Sequence, residues 1–199
     1  MELSDAVRRR RMVRSFDGRP VDRRDLDRIL ADATRAPSAG FTQGSEFVVL
    51  EGPAQTGRFW DHTLPAPERD AFRWPGLLRA PVVVLPLASR QAYLDRYREP
   101  DKAASGLADG DAWPVPYWDV DCGFATMALL LTAVDMGLGA LFFGIFRGED
   151  ALLADLGVPG THRPIGAVAL GHPAGDDRPS ASLARGRRPL DSVVHRGHW

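Results

Sequence analysis

A nearly apolar stretch lies between residues 118 and 136, and it predicts one long helix from about Trp118 to Met136. A helix that is apolar on all sides lies either at the centre of a large core or at a subunit interface. Its continuous apolar part, Phe124–Val134, is shorter than the ~20 residues that span a bilayer. We therefore expect a soluble protein with no membrane partner.

The remaining patterns predict an α+β protein that forms a single domain over residues 1–199. The other predicted helices cover residues 3–10, 22–35, 90–97 and 149–156, and Asp22 is the N-cap of the second. Short apolar runs predict buried strands at residues 47–50, 82–87, 140–143 and 165–170. Residues 99–117 mix Pro, Gly, Asp and Trp without a period, which indicates an ordered insertion or lid.

Composition excludes several classes of protein. The formal net charge of −1 at pH 7 favours neither nucleic acid nor a membrane as a partner. The only lysine, Lys102, matches neither the P-loop nor the kinase pattern, and a Schiff-base enzyme would have no other lysine to use. The single cysteine, Cys122, excludes an internal disulfide, and His195 and His198 lack the spacing of a zinc pair. With no secretory signal at its start, the chain is expected to be cytoplasmic, with no metal.

An arginine-rich run, Arg8–Arg14, leads into Phe16 near the start of the chain. It fits a solvated basic patch, a nucleic-acid arm, or a site for one small anion. Guanidinium groups bind phosphate oxygens in pairs, and the net charge gives no reason to bind a polyanion. We therefore favour a single phosphate as the ligand of this run.

A second arginine cluster lies near the other end of the chain, at Arg185, Arg187 and Arg188. It fits either a disordered tail or a second contribution to the same phosphate site. The apolar residues beyond it, Val194 and Trp199 among them, are unusual in a solvated tail. We therefore expect the tail to pack on another surface.

The segment Ala36–Gly44 follows the second predicted helix and precedes a strand. A loop that ends the helix explains Pro37 and Gly40 but not the polar residues between and after them. Ser38, Thr42 and Gln43 supply side-chain donors and acceptors beside exposed loop amides. This loop is a candidate for ligand binding.

The segment Gly137–Gly144 follows the long helix and contains three glycines. It is not a dinucleotide fingerprint, because Phe142 stands where the third glycine belongs and the glycines follow a helix instead of a strand. The first two glycines fit a helix end. Gly144, at the end of the predicted strand, allows the backbone to approach a ligand closely.

Together these segments resemble the FMN-dependent nitroreductase family. The resemblance rests on Arg10–Phe16, Ala36–Gln43, Gly137–Gly144 and Arg185–Leu190, which occur in the family's order. It implies a central, mostly antiparallel sheet flanked by helices, and a homodimer with an FMN at each end of the interface. It also implies that the long apolar helix forms the dimer core and that the C-terminal tail wraps the partner.

The resemblance also implies a set of FMN-binding residues. They are Arg10, Arg11, Met12, Arg14, Pro37, Ser38, Gln43, Phe143, Gly144, Arg185 and Arg187. In that assignment Arg10 and Arg11 hold the FMN phosphate and the ribityl chain. Arg185 and Arg187 complete the phosphate site. Arg14 lies at the pyrimidine edge, where a cation stabilises charge that develops at N1 and O2 on reduction. Pro37, Ser38 and Gln43 line the loop beside the flavin. Phe143 and Gly144 pass behind the flavin ring.

Two positions depart from the family pattern. Met12 stands where the family often has a serine that touches the flavin, and Phe41 stands where an asparagine is usual. Both changes remove polar contacts. They predict a more apolar flavin pocket.

The function implied by the resemblance is that of an FMN-dependent oxidoreductase. It would accept hydride from NADH or NADPH and pass electrons to a nitroaromatic, a quinone or another flat acceptor. No catalytic side chain is needed, because the flavin carries the hydride itself. Three alternatives stay open: an FMN-dependent dehydrogenase of a biosynthetic intermediate, a flavin-binding protein without turnover, and a basic-arm module for nucleic acid or acidic protein.

Overall fold

One antiparallel sheet lies at the centre of the computed structural model, which describes residues 1–199. Its strands are β1 (Ser45–Glu51), β2 (Val82–Ala88), β3 (Gly139–Phe143), β4 (Arg163–Pro164) and β5 (Ala167–Gly171). They follow the order β1-β2-β5-β3, with β4 paired to β2, and every pairing is antiparallel. The predicted α+β class and mostly antiparallel sheet are confirmed.

Seven helices surround the sheet. They are α1 (Leu3–Arg9), α2 (Arg23–Ala33), α3 (Gly52–Thr63), α4 (Ala66–Arg69), α5 (Arg90–Arg96), α6 (Tyr117–Asp135) and α7 (Glu149–Leu156). Asp22 caps α2 as predicted, because its side chain accepts the N–H of Arg24 at 2.8 Å. Sequence reasoning missed α3 and α4. Pro53 in the first turn of α3 was the available signal, since proline is favoured there.

The two faces of the sheet carry separate apolar cores. Along β2, Val83 and Leu85 face one core with α3 and α7, whereas Val82 and Val84 face the other with α2 and α6. Successive side chains of a strand point to opposite faces, so a strand buried on both faces must be apolar at every position. All seven residues of β2 are buried, which explains its uninterrupted apolar run.

Helix α6 is apolar on both of its sides, but only one side is covered within the chain. Cys122, Leu129 and Ala133 are fully buried on the sheet side. On the other side, Phe124 and Met127 remain 50% and 47% exposed. The second apolar face therefore has no partner inside a single chain.

The predicted insertion at residues 99–117 is ordered by an aromatic cluster. Trp113 packs edge-on against Tyr93 and Tyr97 of the α5 region and against Trp118 of α6. These contacts fasten the insertion to the body of the protein. None of the helices combines the length and the apolar character needed to cross a membrane.

Candidate functional site

The N-terminal arginine segment runs beside β3. Met12 forms a parallel bridge with Ala140, and the N–H of Val13 donates to the Ala140 carbonyl at 3.0 Å. A little further on, Phe16 bridges Pro173 after β5. Residues 10–14 therefore extend the sheet at its β3 edge, which places Arg14 near the end of that strand.

A cavity of about 490 Å³ opens at the end of β3, and it brings together three of the predicted FMN-binding residues. These are Arg14, Phe143 and Gly144. Half of the remaining lining residues are aromatic, namely Phe59, Trp60, Phe72, Trp74, Phe142 and Phe146. Cavities of this size and apolar character bind small flat ligands.

The guanidinium of Arg14 is fixed at the rim of this cavity. Its Nη1 donates to the Met12 carbonyl at 3.0 Å, and its Cζ lies 5.3 Å from the centroid of the Trp74 ring. The guanidinium of Arg73 lies 4.9 Å from the same ring. No carboxylate pairs with Arg14, so its charge is available to a ligand at the cavity.

Asp177 is the residue on which this segment depends, and sequence reasoning missed it. One carboxylate oxygen accepts the N–H groups of Arg14 and Ser15 at 2.7 and 2.9 Å. The other oxygen pairs with the guanidinium of Arg11. The Asp177 side chain is only 1% exposed, although its sequence context resembles a solvated tail.

Arg10 and Arg11, which were predicted to act together, differ in their surroundings. Arg11 pairs with Asp177. Arg10 has no acidic partner, and its Nη1 is buried without any hydrogen bond. Because buried polar atoms are nearly always hydrogen-bonded, this nitrogen needs an acceptor that the chain itself does not supply. Met12 packs its side chain against the apolar cores on both faces of the sheet.

The loop at residues 36–44 lines a different, smaller cavity of about 160 Å³. Pro37, Ser38 and Gln43 lie there, and none of them lines the larger cavity. The loop is strained, because Phe41 and Gln43 both have φ near +55°, where residues other than glycine are uncommon. Such strain persists only where surrounding contacts hold the backbone, and it clusters at functional sites.

Those contacts are supplied by α5 and α6. Asp121 of α6, 4% exposed, accepts the Ala39 N–H at 2.8 Å and the Tyr93 hydroxyl at 2.7 Å. Arg96 of α5 donates to the Gly40 carbonyl at 2.9 Å. Burial, helped by the hydrogen bond to Asp121, raises the pKa of Tyr93, so its hydroxyl remains a donor.

The C-terminal arginines lie apart from both cavities. Arg185 and Arg187 are exposed, make no hydrogen bond or ion pair, and line neither cavity. Trp199 is 96% exposed and stacks only on His195, with ring centroids 4.2 Å apart. Within one chain, therefore, the tail does not join the arginine segment.

Two other chemistries lack the groups they need. Burial raises the pKa of the Cys122 thiol to about 11, so the residue is not a reactive thiolate at neutral pH. No group of three or more His, Cys, Asp or Glu side chains lies close enough together to hold a metal ion. The features that remain are a cavity with aromatic walls, a guanidinium without an acidic partner at its rim, and a second unpaired arginine, Arg10, earlier in the same segment.

Comparison with known proteins gives consistent matches. A model of the Nitroreductase family matches residues 7–172. An NADH dehydrogenase of Thermus thermophilus is 32% identical over an alignment of 214 positions, gaps included, which covers 98% of this chain and 95% of that protein. A protein of Archaeoglobus fulgidus, assigned as an NADH dehydrogenase/NAD(P)H nitroreductase, is 27% identical over 171 residues, covering 82% and 81% of the two chains.

A solved structure shows the same fold. It is a protein of Desulfovibrio desulfuricans, assigned as a nitroreductase and crystallised in complex with FMN, with a TM-score of 0.71 and 24% identity. The match covers 98% of this chain and 95% of that one. At this identity the likeness shows a common fold, and it spans almost all of both chains.

Proposed function

Because the chain belongs to the nitroreductase family, whose model matches residues 7–172, we propose that it is an FMN-dependent oxidoreductase. It takes hydride from NADH or NADPH and passes electrons to a small flat acceptor such as a nitroaromatic or a quinone. The observation that carries this function is the aromatic cavity at the end of β3, where Arg14, Phe143 and Gly144 meet. Two relatives, an NADH dehydrogenase and a protein assigned as an NADH dehydrogenase/NAD(P)H nitroreductase, support the same chemistry.

The residues present fit FMN. The buried, unpaired Nη1 of Arg10 needs an acceptor, and a phosphate oxygen would supply one. The cavity of about 490 Å³ has aromatic walls that suit a flat ring. Arg14 would offer a cation without an acidic partner to the ring, and such a charge would favour the reduced form. Met12, Phe143 and Gly144 would contribute apolar surface and backbone close to that ring.

When bound, FMN supplies the hydride and electron transfer, and the protein side chains bind, orient and exclude water. The aromatic walls formed by Trp60, Phe72 and Trp74 would keep water away from the ring. No carboxylate, histidine or lysine lines this cavity. Within one protomer, the cavity therefore offers no carboxylate, histidine or lysine to deliver a proton that accompanies reduction of the acceptor.

A homodimer completes the site in this proposal. Pro37, Ser38 and Gln43 line a separate cavity from Arg14, so a second protomer is needed to bring the two sets together. The uncovered apolar face of α6 would form the dimer core, and the tail with Arg185 and Arg187 would wrap the partner. Dependence on NAD(P)H fits a cytoplasmic location.

The absorbance spectrum of freshly purified protein tests the cofactor and the activity. A flavin band that bleaches when NADH or NADPH is added, and returns with a quinone or nitroaromatic, supports the proposal. A flavin band that ignores reductants and acceptors would instead indicate a flavin-binding protein without turnover. Colourless protein that does not take up added FMN would overturn the proposal.

The mass of the protein in solution tests the dimer. We expect light scattering to give twice the mass of the 21.8 kDa chain. A variant truncated before Arg185 is expected to lose FMN, the dimer, or both, because it removes four arginines, Arg185 and Arg187 among them, and the exposed apolar tail. A truncated protein that kept both would refute the role given to the tail.

A further inference from the structure

Of the two neighbouring arginines Arg10 and Arg11, only Arg11 pairs with the buried carboxylate of Asp177. We propose that Asp177 is a positioning residue that binds Arg11 into the scaffold and leaves Arg10 as the guanidinium for the FMN phosphate. The inference rests on the proposed function and sharpens it, since family resemblance gave both arginines the same role.

Asp177 binds three groups that span residues 11–15. Its two oxygens take the Arg11 guanidinium and the successive backbone N–H groups of Arg14 and Ser15. Successive N–H groups that converge on one point form a typical anion-binding arrangement. Here the anion is the chain's own carboxylate, so this concavity is already filled and is not available to a phosphate.

Charge then separates the two arginines. A phosphate placed on Arg11 would lie close to the Asp177 carboxylate and would be repelled by it, strongly so because that carboxylate is 1% exposed. Arg10 carries no such neighbour, and its buried Nη1 has no partner. The free guanidinium of the pair is therefore Arg10.

The same carboxylate determines where Arg14 points. Its hydrogen bond to the Arg14 N–H, at 2.7 Å, fixes the backbone from which that side chain reaches over Trp74 to the cavity rim. Loss of Asp177 would leave two backbone donors without an acceptor and release the segment. Asp177 therefore acts on the flavin through Arg14 and Arg11, without touching it.

Binding of FMN and of riboflavin, which lacks the phosphate, separates these roles. Arg10→Gln should weaken FMN by about 10–100-fold, the value of a charged hydrogen bond, and leave riboflavin unchanged. Arg11→Gln and Asp177→Asn should instead weaken FMN and riboflavin by the same factor. The control is Asp176→Asn. Asp176 is an exposed neighbour that contacts only side chains, Ser15 Oγ at 2.7 Å and the Arg79 guanidinium at 3.8 Å. This variant should change neither the affinity for FMN nor that for riboflavin.

The outcomes separate the inference from the function on which it rests. If the unaltered protein binds neither FMN nor riboflavin, the proposed function fails. Suppose instead that the unaltered protein binds FMN, and that Arg11→Gln weakens FMN but not riboflavin, which is the pattern expected of Arg10→Gln. The inference then fails and the proposed function stands. Arg11 is 39% exposed, so its variant should fold even if Asp177→Asn does not, and it then decides the question.

The midpoint potential of bound FMN gives a second readout, which loss of stability alone would not move. Arg14→Gln should make the potential more negative, because a cation favours the reduced ring. Asp177→Asn should shift it in the same direction, and the double variant should shift no further than Arg14→Gln alone. An unchanged potential in Asp177→Asn, or additive shifts in the double variant, would contradict a role through Arg14.

Discussion

The arginine segment at residues 10–14 and the loop at residues 36–44 are each held by a buried aspartate, but on different supports. Asp177 fastens a segment that already pairs with β3 in the sheet. Asp121 fastens a loop with strained backbone that has no strand beside it and depends on α5 and α6. The comparison teaches that one half of the site has a pairing with the sheet in addition to its aspartate, whereas the other half depends on a few side-chain bonds.

The largest effect is expected where the loop loses its carboxylate. Asp121→Ala leaves the Ala39 N–H and the Tyr93 hydroxyl unpaired, and should lower the free energy of unfolding by ~3 kcal/mol, at ~1.5 kcal/mol for each charged hydrogen bond. Tyr93→Phe removes one of the two bonds and should cost about half. Urea denaturation measures both. Equal losses in the two variants would show that Ala39 does not depend on Asp121.

A smaller effect is expected from a methyl group at Gly40. Its φ is +63°, and an added Cβ would lie 2.8 Å from Tyr97 Cε2. Gly106 in the insertion has φ +76° but no atom within 4 Å of an added Cβ, so it is the matched control. Gly106→Ala should cost ~1 kcal/mol from backbone strain, and Gly40→Ala ~1–2 kcal/mol more from the clash. Thermal unfolding of the two variants measures the difference in their loss of stability. Equal losses would show that Tyr97 does not contribute to holding the loop.

On the arginine segment, the change with the clearest consequence is Arg14→Gln. It removes the unpaired cation at the cavity rim and should weaken FMN by about tenfold, or ~1.4 kcal/mol, and slow its reduction by NADH or NADPH. Arg9→Gln, an exposed arginine of α1 without a side-chain partner, is the control. Fluorescence titration and stopped-flow reduction measure the two effects. Unchanged affinity and rate in Arg14→Gln would place Arg14 outside the flavin site.

The smallest effect concerns pH and again acts on the loop. The hydrogen bond from Arg96, the residue that holds the Gly40 carbonyl, lowers the pKa of Asp101 below 3.8. A carboxyl whose pKa is lowered on folding stabilises the protein above its unfolded pKa, and that contribution disappears as pH falls through the lowered value. Stability between pH 5 and pH 3 should therefore fall slightly less in Asp101→Asn than in the unaltered protein. Parallel pH profiles of the two proteins would refute the coupling.

Sequence patterns predicted the buried strands of the sheet, and three residues that they singled out, Arg14, Phe143 and Gly144, line one cavity. The reason is physical. The buried strands had to be apolar at each position, as β2 is, and the arginine run and Gly144 follow local patterns. Asp177 and Asp121 escaped prediction because burial of a carboxylate depends on partners far away in the chain. Arg14, for example, is 163 residues from Asp177. In the proposed site, Arg185 and Arg187 come from a second protomer, which no local pattern describes.

The distance in sequence between Asp177 and the segment that it holds also affects the order of folding. Residues 11–16 are synthesised well before their partners, Ala140, Pro173 and Asp177. Contacts between residues this distant in sequence form late and slow the folding of a domain. The arginine segment therefore stays without its carboxylate until residue 177 has left the ribosome. A chain stopped before residue 177 would lack the ion pair and the two backbone hydrogen bonds that hold this segment.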